Sequence, residues 1–207
     1  MSDSHLAAAL SDRNPATTPG EARGRMDSEL VIRAQHGDEE AFASLALAVG
    51  DRLHAVAQRI LRDADLAEDA TQHALLSIWR DLPQLRDPER FDGWCYRLLV
   101  RACYAESRRS RQWNPQLRLL PVQSGIEPDG ANVVIDRDQL DRAFRRLSID
   151  HRAVVVLHFY LDMPLDQVAH ALSIAPGTAR SRLHHAMRGL RAAIEADARP
   201  TMKGAVG

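Results

Sequence analysis

The sequence predicts an all-α protein made of two small helical domains joined by a flexible linker. Three observations lead there. Apolar residues recur at three- and four-residue steps through residues 27–112 and again through 136–197, the spacing of amphipathic helices. Between them, residues 113–135 lose that period and carry Pro115, Pro121, Gly125, Pro128 and Gly130, the composition of a linker. Lastly, Pro164 to Arg191 is spaced as helix, tight turn, second helix. An apolar fraction of 45% in 207 residues is ample for two cores.

Residues 1–26 mix Ser, Asp, Pro, Thr, Gly and Ala without period and are expected to form a disordered tail. Asp27 or Ser28 can cap a first helix carrying Leu30, Val31 and Ala34, which Gly37 ends. Asp38 can cap a second, with Ala41, Phe42, Leu45 and Val49 on one face. Past Gly50 and Asp51 a third presents Leu53, Val56, Ala57, Ile60 and Leu61. A polar break from Asp63 to Asp65 precedes a fourth, from about Leu66 to Asp81, with Leu66, Ala70, Ala74, Leu75, Ile78 and Leu82 inward. Pro83 to Phe91 reads as a loop, with two prolines and much charge. The helix after it turns Phe91, Trp94, Cys95, Leu98, Leu99 and Ala102 inward and leaves Tyr96 and Tyr104 as exposed aromatics.

Charge divides this first domain. Asp27 to Gln72 holds ten acids against four arginines, and Glu68, Asp69 and Gln72 share a helical face poor in apolar residues. Arg97 to Arg111 inverts the balance, with five arginines and the single acid Glu106. Arginines interleaved with aromatics suit unpaired bases and backbone phosphates.

The second domain opens with Leu140, Ala143, Phe144 and Leu147; Ser148 can cap the next helix and Asp150 favours its first turn. Val154, Val155, Leu157, Phe159 and Leu161 fill that helix, although a run of three valines is β-prone. Behind Pro164, Leu165, Val168, Ala169 and Leu172 share one face of a short helix, and Ser173 to Ala175 make the turn. Pro176 fits the first turn of the next helix, whose buried stripe is Ala179, Leu183, Ala186 and Leu190. Its other face carries Thr178, Arg180, Ser181, Arg182, His185 and Arg188, and Pro176 to Arg191 contains four arginines and no acid. Hydroxyls and guanidinium forks on such a helix match phosphates and base edges in a major groove. Residues 198–207 are expected to fray.

The net charge of −1 argues nothing about nucleic acid; only its distribution does. Cys95 and Cys103, eight apart in one helix, cannot bridge each other and read as core thiols of a reducing compartment. No run is long and apolar enough for a membrane span, and the N-terminus lacks a basic and apolar leader pattern, so the expected location is cytoplasmic, without membrane contact. Among nine histidines there is no HExxH, the cysteines lack zinc-like partners, and no glycine loop cradles a phosphate. Neither a catalytic residue, a metal nor a cofactor is therefore expected, and the adjacent His184 and His185 point in different directions on a helix.

Two stretches carry a family resemblance. RAQHGDEEAFASLALAVGDRLHAVAQRILRDADLAEDATQHALLSIWRDL, followed by FDGWCYRLLVRACYAESRRSR, resembles region 2 of a bacterial RNA polymerase sigma factor. LSIDHRAVVVLHFYLDMPLDQVAHALSIAPGTARSRLHHAMRGL resembles region 4. AEDATQ, GWCYRL and GTARSRL stand in the family's order and spacing, over about Asp27 to Ile194, and two domains with only a linker between them match the compact extracytoplasmic-function (ECF) group.

The resemblance implies a promoter-specificity subunit: a region 2 helical bundle at 27–112 and a region 4 helix-turn-helix at 136–197. It places Asp65, Glu68, Asp69 and Gln72 on the clamp helices of the polymerase's largest subunit, and region 4 on the flap of the second-largest. Arg86, Arg90, Trp94, Arg97, Arg101, Tyr104, Arg108 and Arg109 would hold and melt the −10 element as single strands. Thr178, Arg180, Ser181, Arg182, His185 and Arg188 would read the double-stranded −35 element. An anti-sigma factor is a common partner of such proteins. This chain departs from the pattern at Arg101, where many relatives carry a small amide, at His185, where arginine is frequent, at Ala175, where serine often caps the recognition helix, and at Gln167, where glutamate is frequent.

A helix-turn-helix regulator that binds an operator without core polymerase would explain Pro164 to Arg191 equally well. It leaves the basic, aromatic helix that follows the acidic one without a purpose.

Overall fold

The computed structural model describes residues 20–113 and 137–198. Eight α-helices and no strand occur among the described residues. The expected linker from residue 114 on, the tail before Gly20 and the segment from 199 lie outside them.

The first helix, α1 (Gly20–Gln35), starts upstream of the expected caps at Asp27 and Ser28. Glu21, Ala22, Arg23, Arg25 and Met26 are good helix formers, so nothing in the sequence stops the helix at Asp27. Gly37 then turns the chain with φ +88°, a conformation open to glycine. Asp38 caps α2 (Glu39–Leu61), its carboxylate accepting the Ala41 N–H at 2.9 Å. The break expected at Gly50 is absent, because the buried stripe Ala41, Leu45, Val49, Leu53, Val56 and Ile60 runs through it without losing phase. Arg62, at φ +61°, ends α2, and Asp63 caps α3 (Ala64–Asp81) by accepting the Leu66 N–H at 3.0 Å. The expected loop holds two short 3-10 turns, Leu82–Gln84 and Pro88–Arg90, and the Gln35 amide pins it by donating to the carbonyls of Leu82 and Leu85 at 3.2 and 2.6 Å.

The long α4 (Phe91–Trp113) packs on α2 and α3 and completes the first bundle. Phe91, Cys95, Leu98, Leu99 and Cys103 are buried, and burial holds the Cys95 thiol well above its ordinary value and the Cys103 thiol up at about 12. Tyr96 corrects the sequence reading: it belongs to the core instead of the exposed surface. Leu99→Ala is expected to destabilise the fold by about 2–5 kcal/mol, the cost of a core cavity, whereas Leu47→Ala, at a side chain 81% exposed, is expected to stay within about 0.5 kcal/mol. Chemical denaturation of the two variants checks the contrast.

The second bundle holds α5 (Arg137–Arg146), α6 (Ile149–Val155), α7 (Leu165–Leu172) and α8 (Pro176–Ala198). Ser148 caps α6 through its hydroxyl, which accepts the His151 N–H at 3.3 Å. The valine run stays helical because Ala153 to Leu157 are all fully buried, and packing outweighs its β preference. At Val156–Tyr160 the helix widens into one π turn, and His158 Nδ1 meets the Met163 carbonyl at 2.8 Å to hold the exit. The bundles are not separate bodies: α4 packs along α7, and α2 against α6.

Candidate nucleic-acid interface

The helix-turn-helix forms as its spacing requires. Val168, Ala169 and Leu172 of α7 are buried, Ser173 takes a left-handed φ of +55°, and the Ser173 and Ile174 amides donate back to His170 and Ala169 at 3.1 and 3.0 Å. The Ala175 carbonyl accepts the Thr178 and Ala179 N–H groups, the first hydrogen bonds of α8, and the alanine has no side chain to cap the helix. Ala179, Ala186 and Leu190 are buried, and Thr178, Arg180, Ser181, His184, His185 and Arg188 are exposed.

Arg182 departs from that exposed set. Two residues apart on a helix of 3.6 residues per turn, Arg180 and Arg182 project about 160° apart. Arg180 faces water, while the half-buried Arg182 turns to Asp150 of α6 and pairs with it at 3.0 Å. Tyr104 of α4 lies beside both; its hydroxyl feels their charges but makes no formed hydrogen bond. Burial first, then Asp150, raises the Tyr104 phenol well above its ordinary value.

His151 adjoins this cluster. Burial, then the charge of His185, hold its imidazole below the ordinary 6.5, with Arg182 acting the same way and Asp150 opposing. The unfolded chain therefore binds this proton more readily than the folded one. The stability linked to His151 is complete above the ordinary histidine value and is lost as pH falls from there through the lowered folded value. The drop in melting temperature between about pH 7.5 and pH 5.5 is expected to shrink in His151→Gln; an equal drop in both proteins would remove His151 as its source.

The −10 candidates are spread over the loop and α4. Arg86, Arg90, Arg101, Arg108 and Arg109 are exposed, but several already have partners. Arg90 pairs with Asp87 at 3.0 Å, Arg108 donates to the Tyr104 carbonyl at 3.2 Å, and Arg109 reaches Glu106 at 3.0 Å. Glu106 is only 1% exposed and also meets His73 Nδ1 of α3 at 2.8 Å, so it ties α4 to α3. Trp94 is half-buried with its ring 6.2 Å from Phe91, at the loop end of α4. Arg97 and Tyr104, by contrast, are turned toward the second bundle: Arg97 lies 3.3 Å from His170 of α7.

Asp65, Glu68, Asp69 and Gln72 all lie exposed on the outer face of α3, and Gln72 donates to Glu68 at 3.2 Å. Three- and four-residue steps carry the same face on to Leu76 and Trp79, which are 65% and 43% exposed. The sequence reading missed this apolar end. The signal was present in the spacing from Gln72 to Leu76 to Trp79, but Leu76 reads as one more core leucine beside Leu75. Phe42 braces the Trp79 ring edge-on at 4.5 Å, which leaves the indole fixed and half out of the protein.

Among the described residues no cluster of His, Cys, Asp or Glu is arranged to hold a metal ion, and no helix is long and apolar enough to cross a membrane.

Known families match both bundles. Residues 45–113 match Sigma-70 region 2, and residues 137–190 match Sigma-70, region 4. The ECF RNA polymerase sigma factor SigL of Mycobacterium tuberculosis is 34% identical over 168 residues, covering 77% of this chain and 94% of SigL. SigM of the same organism is 31% identical, covering 81% and 84%. Among solved structures, CnrH in complex with the cytosolic domain of CnrY superposes with a TM-score of 0.58 at 21% identity, over 83% of this chain and 99% of that one. The sigma factor RpoE of Bartonella quintana, bound to the anti-sigma factor NepR, gives 0.59 at 22% identity, over 75% and 98%. With both regions matched in order and relatives above 30% identity along most of its length, the chain belongs to the extracytoplasmic-function group of RNA polymerase sigma factors.

Proposed function

We propose that the chain docks on the largest-subunit clamp helices of core RNA polymerase through the outer face of α3, reads the −35 element with α8, and opens the −10 element with α4 and the loop before it. The observation that carries this assignment is the segregation of exposed charge. Asp65, Glu68 and Asp69 share one helix face with no exposed arginine among them, while Arg180 and Arg188 stand exposed on a helix with no acid through Arg191. Phosphate contacts from such arginines position the protein, and a few side chains read bases. Arg180, Ser181 and His185 face outward and are the readers; Thr178 and Arg188 flank them as phosphate contacts.

Melting moves bases out of the stack at a cost of a few kcal/mol each. Trp94, at the loop end of α4, supplies a stacking face for the released strand, and the exposed Arg86 and Arg90 of the loop and Arg101 of α4 supply cations for its phosphates. The chain contributes no catalytic group, so the polymerase performs the chemistry, in the cytoplasm. The flap of the second-largest subunit takes region 4, and an anti-sigma factor is included among the partners by likeness to the Bartonella RpoE.

Reconstitution tests this: core polymerase, the chain and a pool of promoter fragments are mixed, and the fragments that open are sequenced. Fragments sharing two spaced elements are expected; a pool opened without common elements would refute the assignment.

A further inference from the structure

Two adjacent imidazoles stand on the DNA side of α8, and only one of them has a role so far. His184 and His185 are both exposed, with ring centroids 5.7 Å apart. Three- and four-residue steps put His184 beside Arg180, Ser181 and Arg188, and His185 beside Ser181, Arg182 and Arg188. His185 is counted above among the readers. His184 shares the row of Arg180 and Arg188, so a duplex that meets those arginines meets this ring as well.

Imidazole ordinarily titrates between about pH 5 and pH 8, and only the protonated ring donates from both nitrogens. Its surroundings decide when that form is favoured. On α8 the neighbouring charges are arginines, and no acid occurs from Pro176 to Ile194. α6 contributes His151, which burial and then the charge of His185 hold below its ordinary value, and Asp150, which pairs with Arg182 at 3.0 Å. Arg152 of α6 donates to the carbonyls of Ile60 and Leu147. α5 turns Arg142 and Arg146 to Asp197, near the C-terminal end of α8, and holds Asp141 against Arg62 and Arg145. α7 carries Asp166, exposed in its first turn, and His170, turned to Arg97 of α4; Tyr104 of α4 lies beside the Asp150–Arg182 pair. The acid that these contacts bring near the two rings, Asp150, is thus already neutralised. Duplex DNA reverses the balance: it carries one negative charge per about 1.7 Å of helix axis, and guanine offers two acceptors in the major groove.

We infer that α8 binds its DNA element with uptake of protons, His184 and His185 acting together as cationic donors to the duplex, so that promoter affinity rises as pH falls. The inference rests on the assignment of α8 to the −35 element, and it adds His184 to the residues that touch DNA. The extra affinity is complete where both rings are charged even in the free chain. It fades as pH rises past the point where DNA can still hold the protons on them.

The test uses the full chain assembled with core polymerase, and a promoter fragment selected by opening. Affinity is read by fluorescence anisotropy from about pH 6.5 to about pH 8 at constant ionic strength, the range in which imidazole changes charge. The proteins compared are wild type, His184→Gln, His185→Gln, the double glutamine variant and the double arginine variant H184R/H185R. Wild type is expected to bind about tenfold tighter at the acid end, an ordinary coupling between two ligands, and each single variant to keep part of that change. The double glutamine variant is expected to bind weakly and the double arginine variant tightly, both with little dependence on pH. Titration of the polymerase itself is common to all of them, so a difference in slope belongs to the two rings. An unchanged slope in either double variant would overturn the inference. Should a double variant fail to melt cooperatively, calorimetry of the wild-type complex in two buffers of different ionisation enthalpy decides: protons taken up near pH 7 support the inference, and none taken up overturns it. If wild type with polymerase binds no fragment selectively at any pH, the proposed function fails, whereas selective binding with one slope common to every variant removes the proton linkage alone.

Discussion

Replacing Glu68 and Asp69 together by lysine is expected to weaken binding to core polymerase roughly ten- to hundredfold, with most of the loss in association rate and a strong dependence on salt. Both carboxylates are exposed on the outer face of α3, so their reversal should leave thermal unfolding in place. The face they occupy is long: from Asp65 it runs through Gln72 to the braced Trp79. Charge at one end steers the approach, and a fixed, half-exposed aromatic at the other has the character of an anchor. Trp79→Ala is accordingly expected to act mainly on the dissociation rate. Surface plasmon resonance against immobilised core polymerase resolves the two rates, and unchanged affinity in the charge-reversed protein would return α3 to an ordinary solvated surface.

Arg180→Ala is expected to lower initiation at the chain's own promoters by roughly tenfold or more, the worth of about 1–3 kcal/mol for one good base contact. Core binding should not change, because Arg180 faces outward on the side of α8 assigned to DNA and not to a polymerase contact. Arg182→Ala should behave differently. Its guanidinium is engaged by Asp150 in the folded chain, so its removal takes away a contact that supports the fold. A fall in melting temperature is expected for Arg182→Ala and not for Arg180→Ala. The pair of variants therefore separates reading from support by in vitro transcription and thermal melting. If Arg180→Ala lost core binding in step with transcription, the arginine would be structural.

Local chemistry explains which parts of this protein are readable from its sequence. Asp38, Asp63 and Ser148 each cap a helix within three residues of themselves, so their role is visible in a short window. The stripe of α8 and the turn at Ser173 are likewise settled by neighbours along the chain. Continuous burial from Val49 to Leu53 overrides the break suggested by Gly50 and Asp51, which only the assembled bundle enforces. Tyr96 is hidden by the packing of α4 on the bundle, and a tyrosine in a basic helix gives no warning of that. The sequence assigns Arg97, Tyr104 and Arg182 to DNA, yet their neighbours in the fold come from elements 32 to 78 residues away. Sequence spacing assigns a helix face; it does not say which other helix will cover it.

The most direct measurement is fluorescence anisotropy of a promoter fragment selected by opening, titrated with the chain alone, core polymerase alone, and the two together, with permanganate reactivity of unpaired thymines followed in parallel. The account requires tight, sequence-selective binding and reactive thymines in the −10 element only when both proteins are present. Equally tight and selective binding by the chain alone, with no unpaired thymines on adding polymerase, would contradict it.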